Sequence, residues 1–186
     1  MTTLYGLADL TIGAHQRMTR LRLYDGPLDL SWKHCAMASD FVAELAALRY
    51  RASRNTYREV RHNIGYLTNE LVENAVKFRA SGSVVVEAAL EGHSFRTKVS
   101  NVIDNEAAAR FQELLSEIAD GDPGDLLIER IEANATGLGK SGSGLGLLTL
   151  MSDYGVRFAW VFGAQGDDGE TSLETYASIA VPDLSN

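Results

Sequence analysis

NELVENAVKF, residues Asn69–Phe78, carries two interleaved helical patterns, and the rest of the chain is best read outward from it. Leu71, Ala75 and Phe78 continue a stripe begun by Ile64 and Leu67 at spacings of three and four, which predicts the buried side of a helix. About a quarter-turn round, Glu70, Asn74 and Lys77 repeat the spacing of four and three, so they share a second face. A carboxylate, a carboxamide and an ammonium beside a buried stripe offer a base, a magnesium ligand and a phosphate contact. Magnesium takes oxygen ligands and commonly keeps its waters and the substrate phosphates, so one protein oxygen suffices. A solvated helix face with a Glu-to-Lys pair has the same spacing. An asparagine inside a strong helix lowers helix propensity, which favours a functional use.

The helix around this stretch is predicted over 56–78, with a stop near Ser81-Gly82. Downstream, Ser83–Leu90 and Ser94–Ser100 read as a hairpin around Glu91-Gly92, followed by helices at about Glu106–Ala119 and Asp125–Ala133. A further helix, about Gly144–Asp153, leads into a closing antiparallel pair, Val156–Gly163 and Thr171–Val181. Upstream, Thr19–Tyr24 alternates apolar and polar residues as a half-buried strand does, closed by Asp25-Gly26-Pro27. Leu30–Tyr50 has helical spacing through Phe41, Leu45 and Leu48. Strands in antiparallel pairs with helices before and between them predict an α+β sandwich with helices on one sheet face, not a βαβ alternation.

Composition narrows the function classes. The chain has 186 residues, 45% apolar and 23% charged, with 17 basic and 25 acidic side chains for a net charge of −8. A fibre, a collagen and a disordered tail are excluded, and the acidic balance argues against a nucleic-acid partner. The single cysteine, Cys35, forms no internal disulfide, and neither a membrane-spanning run nor a secretory signal is visible. The expectation is a cytoplasmic protein with no membrane contact. Cys35 reads as a small core residue, His62 as a surface or satisfied histidine, and Trp32 and Trp160 as core or interface aromatics.

Five of the seventeen glycines fall between Gly137 and Gly146, immediately before a helix. Such glycines let backbone approach a phosphate, and the helix N-terminus supplies unpaired N–H groups. One reading of this run is a P-loop ending in Gly139-Lys140-Ser141, but Asn134 stands where the first glycine belongs and a helical segment precedes it. The other is GSGLGL, with Gly142, Gly144, Leu145 and Gly146 entering the helix.

Together, NELVENAVKF and GSGLGLLTLM (Gly142–Met151) resemble the N-box and G2 box of the GHKL ATPase superfamily, which includes histidine kinases, gyrase and the anti-sigma-factor serine kinases. The order of helix, hairpin, lid, glycine box and closing strands is similar too, over about Arg51 to Pro182. The resemblance implies a Bergerat-type two-layer sandwich with a mixed, mainly antiparallel sheet over 51–186, preceded by a strand–helix extension over 1–50. It further implies that Asn74 binds magnesium, that Glu70 is the base, and that Lys77 with Gly142, Gly144, Leu145 and Gly146 holds the phosphates of ATP. The lid would run from about Glu106 to Ser141. The adenine box departs from the family pattern: Ser100-Asn101-Val-Ile-Asp104-Asn105-Glu106 lacks both glycines. By strand position Asn101 replaces the adenine-reading aspartate; Asp104 is the alternative, and Thr175 is a further nucleotide contact.

A GHKL-like domain without a phospho-acceptor histidine hairpin most resembles the stand-alone serine kinases of bacterial partner switching, SiaB-like proteins among them. The implied substrate is a serine or threonine on a small STAS-type or SiaC-like antagonist protein, with a metal-dependent phosphatase in the same pathway. The rival class is a nucleotide-sensing module without catalysis that sequesters a partner. The N-terminal extension suggests a homodimer.

Overall fold

The computed structural model of the chain describes residues 2–12, 18–24, 32–136, 144–163 and 169–183. Its centre is a hairpin of β3 (Val84–Glu91) and β4 (Ser94–Asp104), turned at Gly92, whose φ is +55°. β6 (Glu170–Ala180) pairs with the other edge of β4, and β5 (Arg157–Phe162) pairs with β6. The two outermost strands come from the N-terminal region. β1 (Thr3–Gly6) lies against β5, and β2 (Thr19–Leu23) lies against β3. The sheet order is β1-β5-β6-β4-β3-β2, and every described pairing is antiparallel, so the sheet is not mixed. β1 has no counterpart among the sequence expectations, because four residues of TLYG carry too little alternation to be read.

Among the described residues five α-helices cover one face, as the sandwich reading requires: α1 (Trp32–Ala47), α2 (Arg54–Lys77), α3 (Asn105–Asp120), α4 (Pro123–Ala135) and α5 (Leu145–Ser152). α2 begins at Ser53, whose hydroxyl accepts from the Thr56 amide, a cap that satisfies one otherwise unpaired donor. Its stripe of Ile64, Leu67, Leu71 and Ala75 is buried. Phe78 is not: the helix ends at Lys77, and the ring, 41% exposed, lies under the Lys77 ammonium at 5.1 Å.

α1 forms where the spacing predicts it but buries another face. Phe41, Leu45 and Leu48 point outward, while Cys35, Val42, Ala43, Ala46 and Ala47 enter the core. Small residues win this contest because they let two helices approach closely; a Cβ on Gly65 of α2 would already stand 3.5 Å from the Ala43 methyl. The extension and the remainder of the chain share one buried cluster.

The sheet's other face carries a cross-strand ladder of charge. Glu87 on β3 meets Arg20 on β2 at 2.5 Å and Lys98 on β4 at 2.6 Å, and Lys98 reaches Glu174 on β6 at 3.4 Å. Glu87 is held below its ordinary carboxylate range by these two cations, against the opposing effect of burial. Among the described residues no helix is long and apolar enough to cross a membrane.

Candidate nucleotide site

A cavity of about 330 Å³ opens between the helix layer and the centre of the sheet, within the range of small-molecule sites. Its lining comes from α2, β4, α3, the start of α5, β5 and β6. Two bonds set its depth where α2 ends. The Ala80 amide donates to Val102 O at 2.9 Å, and the Asn101 side-chain nitrogen donates to Ala75 O at 3.3 Å. The last turn of α2 is thereby tied to β4.

Glu70, Asn74 and Lys77 all line this cavity, so the second face of α2 looks into it, joined at its edge by Leu71, Ala75 and Phe78 of the apolar stripe. Glu70 is half-buried, and a Cβ built on Gly146 would overlap its Oε2. The glycine is what lets the carboxylate lie against the first turn of α5. Burial pushes the Glu70 carboxyl above its ordinary range and neighbouring Glu73 adds to this, while a hydrogen bond from Tyr66 partly opposes it. A carboxylate with a raised pKa in a cleft has the character of a general base.

The glycine box is described from Gly144 onward. Gly144 caps α5 with φ of +67°, a left-handed conformation that an L side chain adopts only with strain; a Cβ there would also stand 2.9 Å from Leu114 Cδ2. Gly144, Leu145 and Gly146 line the cavity. Gly142 lies outside the described residues, as do Gly137, Gly139, Lys140 and Ser141, so the P-loop alternative falls there too.

Asn101 and Asp104 separate cleanly by register. β4 continues through Asp104 and α3 starts at Asn105 with no intervening loop. Odd-numbered β4 residues such as Phe95, Val99 and Ile103 face the core, and Asn101, 6% exposed, lies on that side and lines the cavity. Because its amide nitrogen is engaged by Ala75 O, the carboxamide oxygen remains as the acceptor. Asp104 is of the other parity and is not among the lining residues; its carboxylate accepts from the Ala107 amide at 2.6 Å, capping α3. Thr175 on β6 lines the cavity, 9% exposed.

The stretch expected to form a lid divides. α3 is docked, with Ala107, Ala108, Leu115 and Ile118 in the core, whereas α4 has no buried residue. Ala107, Phe111 and Leu114 form the cavity wall, and Arg110 stands beside them at its rim, paired with Glu106. No sequence expectation covers this wall, though the spacing of 107, 111 and 114 is a helical face. Trp160, expected among the core or interface aromatics, is buried but also lines the cavity.

The donors present fit a magnesium–triphosphate group of one kind. Among the described residues no three His, Cys, Asp or Glu side chains gather into a metal cage. Asn74 instead offers a single amide oxygen, suited to an ion that keeps its waters and is held largely by phosphate oxygens, and leaves the Glu70 carboxylate one helical turn away free of the metal.

No protein-family model matches the chain, and no curated protein matches its sequence. Among solved structures, its fold is similar to that in the crystal structure of the SiaB–SiaC complex from Pseudomonas aeruginosa. The TM-score is 0.59 at 18% identity, over 88% of this chain and 92% of that one. At that identity the likeness is one of fold.

Proposed function

We propose that the chain is an ATP-dependent protein serine/threonine kinase of the GHKL type, acting in a bacterial partner-switching system on a small STAS-type or SiaC-like antagonist protein. The observation that carries this reading is convergence. Glu70, Asn74 and Lys77 from α2, Asn101 from β4, Gly144 and Gly146 at the start of α5, and Thr175 from β6 line one cavity, although more than a hundred positions separate the first from the last. The similarity of fold to a protein solved in complex with SiaC supports a protein substrate of that kind.

In this reading Asn101 accepts from the adenine amino group and Thr175 lies beside it. Asn74 holds magnesium through its carboxamide oxygen, and Lys77 with the α5 amides bears the phosphate charge. Glu70 accepts the proton of the attacking serine or threonine hydroxyl. Magnesium, when bound, neutralises charge on the phosphate oxygens. Phosphoryl transfer depends mainly on such positioning and neutralisation, so few side chains are required. A metal-dependent phosphatase would return the antagonist to its starting state.

The neutral Asn101 and the direct passage from β4 into α3, without the family's glycines, favour a second reading: a nucleotide-sensing module that regulates its partner by binding alone. One experiment separates the two. Incubated with magnesium-ATP and a SiaC-like antagonist, the kinase adds one phosphoryl group to that antagonist, read by intact-protein mass. Glu70→Ala lowers the rate by about 10²–10⁴-fold while retaining ATP binding. A protein that forms the complex but transfers nothing is the binding module.

A further inference from the structure

The wall of the cavity contains a hydrogen-bond donor that the fold itself does not use. Trp160, in the middle of β5, is 3% exposed and lines the cavity, yet its indole Nε1–H meets no acceptor among the described residues. The ring has little freedom to find one. It stacks on Phe158 at 5.1 Å between centroids and 16° from parallel, and meets Phe111 edge-on at 6.0 Å and 86°. A buried donor left unmade costs on the order of 1–3 kcal/mol, and buried tryptophans usually find their N–H a partner. Phenylalanine would keep an aromatic ring against Phe158 and Phe111 without that penalty, so an indole here carries, besides its larger ring, a donor that the folded chain leaves unused.

The neighbouring polar groups complete the pattern. Thr175 is the register partner of Trp160 in the sheet and lines the same cavity. Asn101, whose nitrogen is committed to Ala75 O, presents an acceptor. The cavity therefore combines a group that only donates, a group that accepts, and a hydroxyl that does both. An aromatic heterocycle with an exocyclic amino group beside a ring nitrogen matches that set.

Resting on the reading of the cavity as an adenine-nucleotide site, we infer that Trp160 contacts the base directly, its indole N–H donating to an acceptor nitrogen of adenine. The test is calorimetric titration of wild type and Trp160→Phe with magnesium-ATP and with its 1-deaza and 7-deaza analogues, each lacking one acceptor nitrogen. Trp160→Phe should bind ATP roughly 3- to 10-fold more weakly, the worth of one neutral hydrogen bond. One deaza analogue should be weakened by a similar factor on wild type and by nothing further on the variant. Unchanged ATP affinity in Trp160→Phe, or deaza losses equal in both proteins, overturns the contact while leaving the nucleotide site intact. A wild type that binds no ATP overturns the nucleotide reading and this one together. As a readout independent of the variant's folding, Trp32→Phe leaves Trp160 as the one tryptophan of two; its emission should change on adding ATP, and constant emission at saturation overturns the contact.

Discussion

Glu70 is where stability and chemistry meet at the residue scale. Burial raises its carboxyl above the ordinary 4.5, so the folded chain holds that proton more tightly than the unfolded chain. The resulting stabilisation is complete below the ordinary carboxylate pKa and is lost as pH rises through the raised value. Glu70→Gln should therefore melt higher than wild type near neutral pH, with the advantage disappearing towards about pH 4. Paired melting curves across that range check it. The carboxylate's seat on Gly146 gives a coupled expectation. In wild type, Gly146→Ala should force Glu70 aside and, on the proposed kinase reading, lower phosphoryl transfer. With Glu70→Ala already present, the added methyl has room and gains up to about 1 kcal/mol of helix propensity. A thermodynamic cycle over the two sites should thus be strongly non-additive. Asn74 carries the third expectation: Asn74→Ala abolishes magnesium-dependent ATP binding with the fold intact, and calorimetry alongside circular dichroism reads both.

At the scale of elements, α3 has two duties that different residues perform. Asp104 caps it, and Phe111 and Leu114 wall the cavity. Asp104→Ala should cost about 1 kcal/mol of stability, the worth of an N-cap, and leave ATP affinity unchanged, whereas Asn101→Ala should weaken ATP binding. Chemical denaturation with nucleotide titration on both variants distinguishes cap from contact. The lid expectation also becomes specific. α3 contributes four buried residues to the core, whereas α4 has none and only lays Leu126 and Leu127 against it, so hydrogen exchange in the nucleotide-free protein should find α3 about as slow as α2 and α4 faster. Equal protection in α3 and α4 would contradict this division.

For the molecule as a whole, the N-terminal region encloses the rest. It supplies both terminal strands of the sheet and a helix packed on α2, and it leaves Met37, Phe41, Leu45 and Leu48 in an outward row, 70%, 51%, 43% and 47% exposed. A row of that kind at spacings of four and three suits pairing with another chain, and we carry the homodimer forward as part of the proposal. Light scattering at micromolar concentration should give the mass of two chains, and Met37→Ser with Phe41→Ser should reduce it to one.

Periodicity and turn residues along the chain specify the helix layer, the hairpin, the closing strands and the shared face of Glu70, Asn74 and Lys77. These are local: periodicity and capping depend on residues a few positions apart, and they are legible without knowing the partners. Tertiary structure decided the rest. Which face of α1 is buried depended on the small residues α2 could accept, not on the larger apolar ones that dominate the pattern. That Asn101 and not Asp104 lines the cavity depended on β4 running four residues further than its alternation suggested, because strand parity sends one side chain into the cavity and the other away from it. β1 exists through its pairing with β5 more than through its own four residues. Trp160 belongs to the cavity because the opposing wall is α3, and two segments so far apart in sequence become neighbours only when the chain has folded.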